Sequence, residues 1–151
     1  MADAIDDLAH DHREINRQVL DVAAALRALR HDDAPAVRAF SAAISTLHDM
    51  VFSHFAREEE GLFPYLGSAF PELADRVQEL TIAHDTICGA LTRARYLASA
   101  DGDVATVRAL YDRFELAYAS HASRESALLR DIDERLDSSQ RAVIADLLDD
   151  L

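Results

Sequence analysis

From Ile5 to Leu29 the apolar residues Ile5, Leu8, Ile15, Val19, Val22, Leu26 and Leu29 recur at alternating intervals of three and four, with one member missing. That spacing is one face of an α-helix, and the vacant place on the face is position 12, a histidine. The same interruption occurs three more times. Ile44, Leu47 and Val51 run straight into His54 and Glu58. Val77 and Leu80 lead to His84, then Ile87 and Leu91. Val107, Phe114 and Tyr118 lead to His121 and Glu125, then Leu128 and Ile132. His10 falls on the opposite side of the first helix from His12. In "HFAREEEGLFPYL", Glu58 points inward with His54, Glu60 points away, and Glu59 sits at the flank.

Capping and helix-breaking residues divide the chain. The first helix runs from about Asp3 to Arg30 and stops in "HDDAP". Asp33 caps the second, with Pro35 in its first turn. The second helix ends around "FPYLGSAFP", where Pro64, Gly67 and Pro71 crowd together. A third begins near Pro71 and runs to "SADGD", with Gly102 as its stop signal. The fourth spans roughly Asp103 to Leu136, and "DSSQ" caps a short fifth from about Ser139 to Leu151. Four long helices joined by short loops predict an all-α fold, an up-down-up-down four-helix bundle with a short fifth C-terminal helix, in one domain over 1–151.

Depth along such a bundle is a second test. His12 lies roughly 18 residues before the end of its helix and His54 roughly 19 after the start of the next, at about 1.5 Å per residue. His54 to the end of helix two is roughly 12 residues, and the start of helix three to His84 roughly 13. His84 to the end of helix three is roughly 16, and the start of helix four to His121 roughly 18. Every crossing returns to one layer. Four histidines and two glutamates converge there.

Half of the 151 residues are hydrophobic, with only 4 Gly and 3 Pro, which suits a helical protein and not a turn-rich β fold. A formal charge of −13 argues against nucleic acid or an anionic membrane as partner. One cysteine rules out an internal disulfide. "MADAIDDLAH" lacks the basic and apolar regions of a signal peptide, and no segment approaches a membrane span. The expectation is a soluble, cytoplasmic, acidic protein.

Burying a carboxylate without a partner costs several kcal/mol, and no inward Lys or Arg is available to neutralise Glu58 and Glu125. A metal centre answers the need. Imidazole and carboxylate donors suit iron, manganese or zinc, and the lack of a thiolate set excludes an iron–sulfur cluster. Each His-x-x-x-Glu pair places its glutamate one turn from its histidine on the same face. Four histidines and two carboxylates exceed what one tetrahedral zinc uses. They fit two metals, with each glutamate bridging the pair.

The order His12, "HFARE" (His54 to Glu58), His84, "HASRE" (His121 to Glu125) resembles the hemerythrin-like, HHE cation-binding domain, and "DHREI" and "EEEGLFPYL" are similar to that family's text. The likeness extends from about Leu8 to Asp133. It implies a non-haem di-iron site, with His12 and His54 serving one iron, His84 and His121 the other, and Glu58 and Glu125 bridging. The oxygen-carrying hemerythrins have two histidines one turn apart on the third helix, where this chain has Leu80 before His84 and Cys88 after it. They also carry His-x-x-x-x-Asp on the fourth helix, where this chain has His121 and Glu125. That departure weighs against reversible oxygen carriage. It leaves binding or sensing of a small diatomic or peroxide ligand (O2, NO, peroxide), iron handling, or an enzyme that turns over peroxide or nitric oxide. A metal-free helical interaction module is the third reading, with Val143, Ile144, Leu147, Leu148 and Leu151 of the fifth helix as its docking face.

The other conspicuous residues have plainer expectations. His48 packs on a flank of helix two, and His31 is a helix-end residue favoured by the dipole. Cys88 is a small buried hydrophobe. Glu59 belongs to a solvated face or supports a ligand from behind. Tyr118, one turn before His121, is a core residue within reach of a bound oxygen species.

Overall fold

The computed structural model describes residues 3–100 and 102–151; Met1, Ala2 and Asp101 (the last within "SADGD") lie outside the described residues. All regular structure among the described residues is helical: α1 Ala4–Ala28, α2 Ala34–Arg57, a π-helical turn Glu58–Leu62, α3 Phe63–Ala69, a 3-10 turn Pro71–Leu73, α4 Ala74–Ser99, α5 Val104–Asp133 and α6 Ser138–Asp149. Aspartates start four of these helices. Asp3 accepts from the Ile5 amide at 3.0 Å, Asp33 from Ala36 at 3.1 Å and Asp103 from Thr106 at 3.1 Å. Asp137 and Gln140 satisfy one another's backbone amides in a capping box. Glycine is required at Gly102, whose amide donates to the Leu97 carbonyl at 2.7 Å; a Cβ there would stand 2.6 Å from that oxygen.

The α1 helix packs on α2 and α5, α2 on α4, and α4 on α5, so the four long helices close a ring. Contacts between neighbours run in opposite order along the two partners. Across α1 and α2, Gln18 donates to the Ala43 carbonyl while Asp11 meets Arg57. Across α1 and α5, Arg108 reaches the Leu26 carbonyl, Tyr111 the Val19 carbonyl, and Glu125 lies 3.1 Å from His12. The apolar interior is divided in two. One cluster holds Ile15, Val22, Leu47, Val51, Ile87, Leu91, Phe114 and Tyr118, and the other Ile5, Leu8, Leu62, Leu66, Val77, Leu80, Leu128 and Ile132. Between them lies a layer of buried polar side chains.

Two features differ from the sequence expectation. The second helix is not a uniform α-helix through "EEEGLFPYL". Pro64 has no amide to donate, and its ring would crowd the carbonyl four residues back in a regular helix. The chain instead widens at Glu58–Leu62, where the Phe63 amide donates to the Glu58 carbonyl five residues back. The fifth helix is not a free docking face either. Ile144 and Leu148 are buried in the second cluster, and the Leu148 side chain approaches Gly61 so closely that a Cβ there would stand 3.2 Å from it. Val143, Leu147 and Leu151 remain exposed. Smaller shifts bring the end of α5 back to Asp133 and the start of α6 to Ser138, with Asp137 as the cap.

Candidate metal centre

The buried polar or charged residues among the described ones are His12, His54, Glu58, His84, His121 and Glu125, and they form the layer between the two apolar clusters. They come from all four long helices, with Glu58 at the junction where α2 passes into the π turn. The six polar residues that interrupt the apolar stripes of the sequence therefore sit in one place. His10 is exposed, as is Glu60.

The pairings are orderly. Glu58 directs Oε1 to His54 Nε2 at 3.0 Å and Oε2 to His84 Nε2 at 3.2 Å. Glu125 directs Oε1 to His12 Nε2 at 3.1 Å and Oε2 to His121 Nε2 at 3.0 Å. Each glutamate thus gives one oxygen to each histidine pair. The two pairs also match one another. The rings of His12 and His54 stand 4.7 Å apart at 68°, and those of His84 and His121 4.7 Å apart at 65°.

These close approaches are not ordinary hydrogen bonds. Both oxygens of Glu58 and of Glu125, both ring nitrogens of His121, and Nε2 of His84 are buried without a hydrogen-bond partner. Natural interiors leave few polar atoms in that state, and each such atom calls for a reason. Lone pairs aimed past one another towards a shared point fit a cation. Two donors each ~2.1 Å from one ion and at right angles stand ~3 Å apart, near the spacings found here. His12, His54, Glu58 and Glu125 bring one donor atom each within 4.8 Å of one another, and Glu58, His84 and His121 form a second such group.

Residues behind the layer fix the rings. Asp11 Oδ2 lies 3.2 Å from His54 Nδ1 and accepts from Arg57 at 2.8 Å. The hydrogen bond with His54 is the main reason that the Asp11 carboxyl falls below its usual range, against the opposing effect of burial. Glu59 Oε1 lies 2.6 Å from His84 Nδ1. A carboxylate on Nδ1 places the proton there and leaves Nε2 free as an electron-pair donor, facing the glutamates. His84 is also stacked between Phe55, at 3.6 Å and 9°, and Phe63, at 5.7 Å and 21°. Burial, then the neighbouring His121, pushes the His84 pKa down to about 3, so the ring is neutral, as a ligand must be. Without a cation, burial and then the charge of Glu125 push the Glu58 carboxyl well above the usual range. Burial opposes the charge on Glu125 as well, but its contacts with Glu58, His12 and His121 prevail and hold it ionised.

The profile of the family described as Hemerythrin HHE cation binding domain matches residues 3–132. This chain belongs to that family. No curated protein and no solved structure matched it. The hemerythrin-like layer holds six residues whose donors can take a metal, and the two positions one turn either side of His84 do not join it. Leu80 is buried in the second apolar cluster, and Cys88 is half-buried, its thiol pushed up to about 11 by burial. His48 stacks on Phe52 at 4.1 Å and meets Arg95 at 3.1 Å, a packing role.

Sequence reasoning passed over Asp11 and Arg57 altogether and left Glu59 between two roles. Asp11 directly precedes His12 yet serves His54 on the neighbouring helix. Arg57 lies three residues after His54, close enough along the helix to meet the same carboxylate. Neither adjacency shows in a one-helix pattern.

Proposed function

We propose that the chain is a non-haem di-iron protein whose carboxylate-bridged centre binds or senses O2, NO or peroxide, or handles iron. The observation that carries this reading is the division of each glutamate between two histidine pairs. His12 and His54 would hold one iron and His84 and His121 the other, with Glu58 and Glu125 spanning both. The set would supply two nitrogens and two carboxylate oxygens to each ion, fewer than six, which would leave room for a small ligand. Nitrogen and oxygen donors suit iron, manganese or zinc, and a set of four histidines and two carboxylates exceeds what one tetrahedral zinc uses, so iron is the first candidate and manganese or zinc the lesser ones. The up-down-up-down order of the helices belongs to the same reading, supported by the opposed order of cross-helix contacts, and a single domain over 1–151 would house the site.

When bound, the irons supply redox-active Lewis acidity. The protein's own residues do the rest. Asp11, held by Arg57, and Glu59 keep the Nδ1 protons of His54 and His84 and so present Nε2 inward. Phe55 walls His84 and lies edge-on to His121 at 5.2 Å. The two apolar clusters exclude water above and below the layer, which strengthens each charge interaction inside it. A cleft of about 220 Å³ between α1 and α2, lined by Asp11, Ser53, His54 and Arg57 among others, opens to solvent at the outer edge of His54. A formal charge of −13 argues against nucleic acid as a partner and suits a cytoplasmic setting; among the described residues no helix is long and apolar enough to cross a membrane.

Iron content decides the matter. Protein produced with iron available should hold about two irons per chain and absorb in the near ultraviolet as a bridged ferric pair. One zinc per chain, or nothing after iron loading, would overturn the di-iron reading.

A further inference from the structure

Two tyrosines on α5 share the buried stripe, seven residues and so two turns apart, and they differ in one respect. Tyr111 is 1% exposed and its hydroxyl donates to the Val19 carbonyl of α1 at 2.7 Å. Tyr118 is 3% exposed and its hydroxyl is buried without a partner. Phe114, between them, shows that phenylalanine packs on this face, stacking on Tyr118 at 5.8 Å. A buried hydroxyl with nothing to bond is worse than no hydroxyl, so packing alone does not account for tyrosine at 118.

Position follows from the register of α1 against α5. Tyr111 meets Val19, and Glu125 meets His12 at 3.1 Å. Tyr118 lies midway between these contacts and one turn before His121, so it borders the layer of donors on the α1 side. Burial, then Glu125 and to a lesser extent Glu58 and Asp11, keeps its phenol protonated, so the carboxyl groups that it senses are those in and just behind the layer. A protonated phenol is a donor.

We infer that the Tyr118 hydroxyl is a hydrogen-bond donor to a small anionic or oxygen-donor ligand taken up at the centre, not a core group and not a metal ligand. The inference rests on the di-iron reading. It supplies a function for the one tyrosine hydroxyl that, among the described residues, is buried without a partner. A donor in a water-excluded site discriminates among ligands by their capacity to accept, so anions and oxygen donors would be held better than carbon monoxide.

The test compares Tyr118→Phe with the wild-type full chain, with Tyr111→Phe as control, using azide as the probe. In the iron-loaded chain Tyr118→Phe should keep wild-type iron content and bind azide about 10- to 100-fold more weakly, the loss expected for one hydrogen bond to a charged group. In the metal-free chain Tyr118→Phe should melt roughly 2–4 °C or more above wild type, because it removes an unpartnered buried hydroxyl, whereas Tyr111→Phe should melt lower. Unchanged azide affinity in Tyr118→Phe overturns the proposal. So does loss of iron, which would make Tyr118 a ligand, and so does a metal-free melt lowered as in Tyr111→Phe, which would make it structural. A wild-type chain that takes up no iron brings down the di-iron reading and this proposal together, a result unlike any of these three.

Discussion

Glu58→Gln separates what the centre does with metal from what it does without. In the folded, metal-free chain the Glu58 carboxyl is fully buried, and burial followed by the charge of Glu125 pushes its pKa well above the unfolded value. Such a group is protonated when folded and ionised when unfolded. Its contribution is complete below the ordinary carboxylate range and is lost as pH rises towards the folded pKa, by about 1.4 kcal/mol per pH unit. His84 runs the other way. Its pKa is pushed down to about 3, so the unfolded chain binds the extra proton below the ordinary histidine value, and stability is lost as pH falls below about 6.5. Between the carboxylate and histidine ranges the two slopes oppose. Glu58→Gln has no proton to lose and so removes one of them: above the ordinary carboxylate range the metal-free variant should gain on wild type as pH rises towards the folded pKa of Glu58, by up to about 1.4 kcal/mol per unit, or roughly 3–6 °C in melting temperature. Loaded with iron the advantage reverses, because both histidine pairs lose a carboxylate oxygen and iron content should fall below two per chain. The assay is urea unfolding in chelator across pH 6 to 8, beside elemental analysis of the loaded proteins. Parallel pH curves for wild type and Glu58→Gln would refute the claim that this carboxyl is held protonated in the metal-free interior.

Three other perturbations test the rest of the layer. His12→Ala should lose iron and His10→Ala should keep it, since only His12 is buried; equal loss on elemental analysis would mean that α1 is rotated from the orientation described. Chelation should lower the melting temperature, because ligand at ~1,000 times its Kd stabilises the folded state by about 4 kcal/mol, and mild acid should release iron as protons compete for imidazole. His54→Leu should bind less iron yet melt above the chelated wild type, and an unchanged melt in both would argue against a shared ion. Asp11→Ala frees His54 Nδ1 and should weaken iron binding by about 10- to 100-fold while the chain stays folded; wild-type affinity would reduce the Asp11–Arg57 pair to a surface contact.

The site was legible because its residues interrupt a simple pattern. A histidine on an apolar stripe is visible as an exception, and four exceptions at one depth are visible as a layer, without any contact being known. Asp11 and Glu59 were not legible in the same way. Their carboxylates lie off the inward stripe and reach histidines on other helices, so their roles depend on how far one helix is turned against the next. Periodicity reports which face is buried. It does not report which flank meets which neighbour.

The π turn shows where a periodic reading loses its hold. Carried on from Glu58 as a regular α-helix, the inward stripe would reach Leu62 and then Tyr65. The wider turn moves it forward by one residue, and the buried positions become Leu62, Phe63 and Leu66, with Tyr65 at the margin. That single step has two consequences for the centre. It places Phe63 against His84, completing the stack that Phe55 begins on the other side. It also turns Gly61 to the face on which Leu148 of α6 packs, so the short last helix closes over the turn that carries Glu58. Pro64 and Gly61 are written in the sequence as a helix breaker and a small residue. Their meaning comes from the shift they permit: the backbone leaves the regular helix immediately after Glu58, its inward register already set by His54.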